Sequence, residues 1–247
     1  IAKKLVMKNV LSVMLLFIIC ASQAQQKVGV KSVSAKANTD LVKLNDSIPV
    51  LIPKKINSKY GFVNQKGKVI IKPEYSNVGF FTEDCNLLNS PNSKVKRFGS
   101  SKYASVHLNG QDFRINQSGT RVYHFKKSDL GPCTPEFKAQ LFHAYVMNYA
   151  YGIIEDSKFE NPGDYRQFTI YPQYDYLHIM EGDDLKNPMI IASYKSKFGV
   201  IDIHNKVIIP FEYSDIKRNF SWKLARLFEV TKDGKDYFYV DSNNIRY

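Results

Sequence analysis

The sequence predicts a mostly β fold of tandem antiparallel β-meander and hairpin repeats, arranged as a solenoid or a ring, with one inserted α-helix. Three observations predict it. The stretch KYGFVNQKGKVIIKPEYSNV beginning at Lys59 returns at Lys197 as KFGVIDIHNKVIIPFEYSDI, and at this offset of 138 residues ten of nineteen positions from Ser58 to Ser76 are identical. Asn-Gly and Asp-Gly pairs sit between alternating apolar runs, the strongest short-range hairpin signal. A unit this small cannot bury a face alone, so tandem copies must stack on one another.

The chain begins with export chemistry. Lys8 precedes an apolar run from Val10 to Cys20 broken only by Ser12, and Ser22-Gln23-Ala24 then puts small residues at −3 and −1 of a cleavage site after Ala24. This is the layout of a signal peptide, and the run is too short for a transmembrane helix, which needs about 20 residues. Met7 is the expected start, with residues 1–6 as upstream sequence. A lipoprotein reading at Cys20 fits less well, because Ile19 is bulky where that processing wants Gly or Ala. Removing Lys3, Lys4 and Lys8 from the total of +12 leaves +9 (12 − 3), so the basic character belongs to the body of the chain. A basic exported chain suits anionic surfaces, and export disfavours a nucleic-acid partner. Residues 25–47 are polar and read as a linker.

The repeat domain spans residues 48–247. In its first unit Tyr60 to Val63 is a strand, Asn64-Gln65-Lys66-Gly67 a type I turn closing on a left-handed residue, and Lys68 to Ile71 a β-branched strand. Asn64 can bond the backbone two residues on, and Gly67 takes φ > 0 without a Cβ penalty. The same turn recurs as Asp202-Ile203-His204-Asn205, with Asn in the Gly position. Degenerate copies follow at Asn116 to Gly119 and at Asp241 to Asn244. A further unit opens at Tyr151-Gly152 and resumes at Ile170 after an insertion from about Asp156 to Gln167, so five units result. A third strand precedes some of them: Ala104 to Leu108 leads through Asn109-Gly110, and Leu227 to Thr231 through Asp233-Gly234. Pro73 and Pro210 cannot donate to a ladder and are expected to end their strands, just before Tyr75 and Tyr213.

Tyr60-Gly61, Tyr151-Gly152 and Phe198-Gly199, each followed by the Asn/Asp turn or by an Ile-Pro-Tyr close, resemble the bacterial WG-repeat (KWG) family. Its signature is an aromatic-Gly pair, usually Trp-Gly, at the start of each unit. Tyr or Phe replaces Trp here, and Asp112-Phe113 stands in one unit. The resemblance covers roughly residues 50–247 and implies tandem β-rich units in proteins that are often exported. It implies no shared catalytic residue.

Thr134-Pro135-Glu136 resembles a helix start, and Phe137, Leu141, Phe142, Tyr145, Val146 and Tyr149 follow at helical spacing. One amphipathic helix is therefore predicted over about 135–149. Export leaves Cys85 and Cys133, which either pair or stay as separate buried thiols.

No catalytic constellation emerges. The five histidines, His107, His124, His143, His178 and His204, lack ligand spacing. Glu181-Gly182-Asp183-Asp184 lacks the alternating ligands of a Ca²⁺ loop. No Gly-rich phosphate loop or Gly-x-Ser-x-Gly elbow occurs. The expectation is a non-catalytic exported module needing no cofactor or metal, whose partner is another envelope protein. The alternative partner is an anionic cell-wall glycan or lipid headgroup, met by exposed Tyr beside Lys, with Trp222 as the one flat sugar platform.

Overall fold

The computed structural model describes residues 47–134, 139–158, 167–182 and 184–247. The expected leader, and the linker up to residue 46, lie outside these residues. The domain consists of five antiparallel sheets in chain order. The first is β1 (Leu51–Ile56), β2 (Lys59–Asn64) and β3 (Val69–Tyr75); the second is β4 (Asn77–Phe81), β5 (Ala104–Leu108), β6 (Gln111–Ile115) and β7 (Arg121–His124). The third is β8 (Phe142–Met147), β9 (Ala150–Glu155) and β10 (Phe168–Tyr174). The fourth is β11 (Tyr176–Ile179), β12 (Ile190–Tyr194), β13 (Lys197–Ile201) and β14 (Val207–Tyr213). The fifth is β15 (Asp215–Ile216), β16 (Phe228–Thr231) and β17 (Phe238–Val240), extended by a bridge between Val240 and Arg246. Among the described residues three short α-helices, α1 (Cys85–Leu88), α2 (Ser93–Lys96) and α3 (Ser221–Ala225), lie in the second and fifth units.

The turns obey local chemistry. Asn64 Oδ1 accepts from the backbone of Lys66 (3.0 Å) and Lys68 (2.9 Å), and the carboxylate of Asp202 accepts in the same way from His204 and Lys206 (both 2.9 Å). Asn116 and Asp241 build the same cradle. The closing residues Gly67, Gly119, Asn205 and Asn244 have φ of 76°, 83°, 63° and 60°, the left-handed conformation that Gly and Asn accept most readily. The other hairpin of the first four units turns on two residues with positive φ, at Asn57-Ser58, Asn109-Gly110, Asn148-Tyr149 and Lys195-Ser196, the backbone twist that matches right-handed strands.

One short step joins the first unit to the second, the third to the fourth and the fourth to the fifth. β3 runs into β4 across Ser76, β10 into β11 across Asp175, and β14 into β15 across Ser214, so the last strand of one sheet continues as the first of the next. Each crossing residue donates its N–H to the new sheet: Ser76 to His107 (2.9 Å), Asp175 to Ser193 (2.8 Å) and Ser214 to Thr231 (2.8 Å).

Apolar cores form between units, as a thin meander requires. Phe62, Ile71 and Tyr75 pack with Val106 and Ile115; Ile153 and Ile170 with Leu177 and Ile201; Val200, Ile209 and Tyr213 with Ile216 and Phe228. A fourth cluster unites Ile52, Val63 and Phe80 with Leu227 and Tyr247, so the first and last units share a core. The row of units therefore curls back on its own beginning.

Two expectations are corrected. The predicted helix over 135–149 is not formed where it is described: β8 occupies Phe142–Met147 and pairs in full register with β9, from Phe142 opposite Glu155 to Met147 opposite Ala150. His143, Tyr145 and Met147 are half-buried while Ala144 and Val146 are exposed, a period of two. A short isolated helix is marginal, and a six-residue ladder outweighs it. Residues 135–138 lie outside the described residues. The prolines do not end their strands either, because β3 continues through Pro73 to Tyr75 and β14 through Pro210 to Tyr213. Both sit in a bulge: Tyr60 pairs with Tyr75 but Phe62 with Ile71, so β3 has extra residues that need no ladder donor there.

That bulge accounts for the aromatic-Gly pair. It folds over β2, and a Cβ on Gly61 would lie 2.4 Å from the carbonyl oxygen of Ile71; at Gly152 and Gly199 the distances to Ile170 and Ile209 are 2.6 and 2.7 Å. In the second unit Phe113 takes the Gly position and β6 pairs with β7 with only a small register shift. Its neighbour Arg114 is buried, and donates to the carbonyls of Phe98 (2.9 Å), Thr82 (2.8 Å) and Ser100 (2.9 Å) and to Ser105 Oγ (3.0 Å). The guanidinium thus pins the helical excursion between β4 and β5. Cys85 in α1 and Cys133 form a disulfide with Cα atoms 5.6 Å apart, tying the segment after β7 to the same excursion.

Candidate functional site

Most signature residues do mechanical work. Asn64, Gly67, Asn116, Gly119, Asp202, Asn205 and Asp241 form turns, Gly61, Gly152 and Gly199 lie under bulges, and Tyr75 and Tyr213 are buried. Tyr60, Tyr151 and Phe198 differ, being half-buried on strands.

Tyr151 and Phe198 belong to a belt that crosses units. Tyr151 meets Tyr176 at 5.9 Å between centroids, and Tyr176 meets Phe198 at 6.2 Å. Arg218 from the fifth unit lies over both, 4.7 Å from the Tyr176 ring and 5.6 Å from Phe198, and its Nε donates to the Tyr176 hydroxyl at 2.9 Å. The guanidinium also faces Asp215 at 3.6 Å, whose other oxygen accepts from Tyr237 Oη at 2.7 Å. That bond, with burial second, pushes the Tyr237 phenol up. Lys217 sits 4.2 Å from the Tyr237 ring and pairs with Glu229. Arg218 and burial together hold the nearby His178 below its ordinary value, burial being the larger cause.

The belt ends in a cleft of about 260 Å³ where the fifth unit meets the first, with Tyr60, Phe220, Glu229 and Tyr239 in its walls. Phe80 and Tyr239 close its floor edge to face, 5.4 Å apart. Ser221 also lines it, 3% exposed, and its hydroxyl has no hydrogen-bond partner.

Sequence reasoning found Tyr60, Tyr151 and Phe198 but missed Tyr176, Asp215, Lys217 and Arg218. The available signal was positional: Asn77, Tyr176 and Asp215 all open the strand that has crossed into a new sheet. Trp222 is not a sugar platform. It is 8% exposed and stacks on Phe228 at 4.4 Å.

Among the described residues no group of three His, Cys, Asp or Glu side chains could hold a metal. His107 with Asp112 (2.7 Å) and His143 with Asp156 (2.6 Å) are surface pairs. Asp184 accepts from the backbone of Lys186 and Asn187, both at 3.0 Å, which closes the acidic turn on itself; Asp183 lies outside the described residues. No described helix is long and apolar enough to cross a membrane.

The family model for the WG containing repeat matches residues 60–85 and 198–235. No curated protein matches the chain. Among solved structures, a crystal structure of the eukaryotic initiation factor aligns at 12% identity over 80% of this chain and 51% of that one, with a TM-score of 0.28. The chain thus spans about half the length of that structure.

Proposed function

We propose, from the premise that this is a WG-repeat protein, that it is a non-catalytic recognition module exported to the cell envelope, where it holds another protein against its aromatic and basic belt. The observation that carries this reading is the run of rings and cations from Tyr151 to Tyr237 across three units, with Arg218 spread over two rings and half-exposed. Rings and Arg are the groups that dominate protein contacts. Export is supported by the leader chemistry of residues 7–24 and by the Cys85–Cys133 disulfide, which belongs in an oxidising compartment.

The test is affinity capture from envelope extract with the mature chain and with Arg218→Ala/Tyr176→Ala. A protein held by the first and released by the second supports the reading. Equal capture by both, or capture of nothing, overturns it. An anionic glycan is the second reading, favoured by cations lying over rings at Arg218, Lys217 and Lys55. Binding to purified cell-wall polymer that resists salt would count against it.

A further inference from the structure

We infer that the second unit carries a binding surface for an anionic polysaccharide, formed by its helical excursion and the segment after β7. None of its residues belongs to the belt, so the two surfaces stand or fall separately.

The sequence concentrates positive charge in two segments here. Residues 92–103 and 125–130 supply six cations, Lys94, Lys96, Arg97, Lys102, Lys126 and Lys127, against one carboxylate, Asp129. All six cations are exposed, and among the described residues none of them is ion-paired with a carboxylate. Asp129 is 8% exposed, and both its oxygens are engaged, one by Tyr123 Oη at 2.8 Å and the other by Asn92 Nδ2 at 3.5 Å. Asp84, whose charge also reaches Tyr123, caps α1 by accepting from the Leu87 N–H at 3.1 Å. The belt differs, since Arg218 faces Asp215 and Lys217 pairs with Glu229. Its cations are already countered, whereas those of the second unit add into one positive field.

The fold brings both segments together. Tyr103, Phe98, Tyr123 and Phe125 form a chain of rings with successive centroids 5.7, 5.2 and 5.5 Å apart, which lays one segment beside the other. Arg114 grips the carbonyls of Phe98 and Ser100, and the Cys85–Cys133 bond fastens the chain just beyond Leu130. The cations thus stand on a fixed base before any ligand arrives, which lowers the ordering cost of binding.

The surroundings choose among polyanions. Phe98 stacks on Tyr123 and carries the Arg97 guanidinium 4.6 Å from its centre, so it offers no open face to a nucleic-acid base. Of the large apolar side chains in the two segments only Leu130 is exposed, which leaves too little apolar area to enter a lipid surface. A hydrated chain with repeated carboxylate, sulfate or phosphate groups fits both facts.

The experiment is isothermal titration calorimetry on the full mature chain, with a heparin octasaccharide and an oligogalacturonate as probes. A single-stranded oligonucleotide and phosphatidylglycerol vesicles are the comparators. At least one saccharide is expected to bind, with log affinity falling against log salt at a slope of about 3–4. Lys94→Gln/Lys96→Gln/Lys126→Gln/Lys127→Gln should weaken binding about tenfold, while Lys66→Gln/Lys68→Gln/Lys206→Gln/Lys235→Gln, which removes the same charge elsewhere, should stay within about twofold. All eight lysines are exposed, so both variants should melt like the parent. Arg218→Ala/Tyr176→Ala, which tests the belt, should leave saccharide affinity unchanged. The proposal is overturned if neither saccharide binds, if the two quadruple variants lose affinity equally, or if the oligonucleotide or the vesicles bind more tightly than both saccharides.

Discussion

The hydroxyl of Tyr174, which ends β10 in the third unit, donates to Oδ1 of Asn205 at 2.6 Å, the left-handed residue that closes the turn of the fourth. Tyr213 makes the same bond, at the same length and the same separation of 31 residues, to Asn244 in the fifth. Asn rather than Gly at these turns thus has a cause beyond tolerance of φ > 0, since its side chain is the acceptor that latches one unit to the last. Tyr75 has no such acceptor, because Gly119 holds that position in the second unit.

The latch predicts coupling. Tyr174→Phe should cost about 1 kcal/mol. Asn205→Gly relieves left-handed strain but loses the acceptor, so it should be nearly neutral once Tyr174 is Phe. Urea unfolding of both single variants and the double is expected to give a coupling of about 1 kcal/mol. Strict additivity would refute the latch.

Close approach should outweigh backbone freedom among the glycines. Gly67 has φ 76° with nothing within 4 Å of a built Cβ, so Gly67→Ala should cost about 1 kcal/mol of strain. Gly152→Ala drives a Cβ to 2.6 Å from the Ile170 carbonyl and 2.8 Å from Pro172, which forces the bulge to move and should cost about 2–3 kcal/mol. Thermal melts that rank the two the other way would reject the bulge explanation of the aromatic-Gly pair.

Alkali should loosen the units. Burial first, then Glu74 or Glu212, pushes the phenols of Tyr75 and Tyr213 up to about 12. The folded state therefore holds these protons more tightly than an unfolded phenol of about 10. Their contribution to stability is fully present below pH of about 10 and is lost as pH rises through about 12. Ultraviolet titration compared with Tyr75→Phe and Tyr213→Phe should place both phenols among the late ones, with a loss of stability over that window. Normal titration of both Tyr75 and Tyr213 would contradict their burial.

The disulfide closes a span of 48 residues. By chain entropy Cys85→Ser/Cys133→Ser should lower stability by about 2–4 kcal/mol. Proteolysis is expected to cut first between Thr82 and Tyr103 or after Phe125, the segments the bond joins. Unchanged denaturant midpoints would show that the excursion is held by Arg114 alone.

How much of this was legible in the sequence depends on the range of the cause. The Asx cradles and left-handed closures could be read because a turn is settled by four adjacent residues. The strand β8 could not, since Phe142, Tyr145, Val146 and Tyr149 fit a helical period as well as a strand. Its hairpin also turns on Asn148-Tyr149, φ 50° and 63°, where no glycine announces it. The prolines misled because a bulge removes the need for a donor that a regular strand would have. Arg218 was invisible as a site residue, because the rings it covers arrive from elsewhere in the chain and only the folded stack brings them under it. The first and last units meet through apolar residues with no motif at all.

That meeting creates the cleft and curls the belt, so it bears the most direct test. In the mature chain with labelled methyl and aromatic groups, a nuclear Overhauser contact between the first-unit methyls of Ile52 and Val63 and the fifth-unit cluster of Leu227 and Tyr247 is expected, beside that of the second-unit Phe80 ring with Tyr239, 5.4 Å away. Absence of that contact, with X-ray scattering from an extended row of five units, would contradict the shared core on which the surface depends.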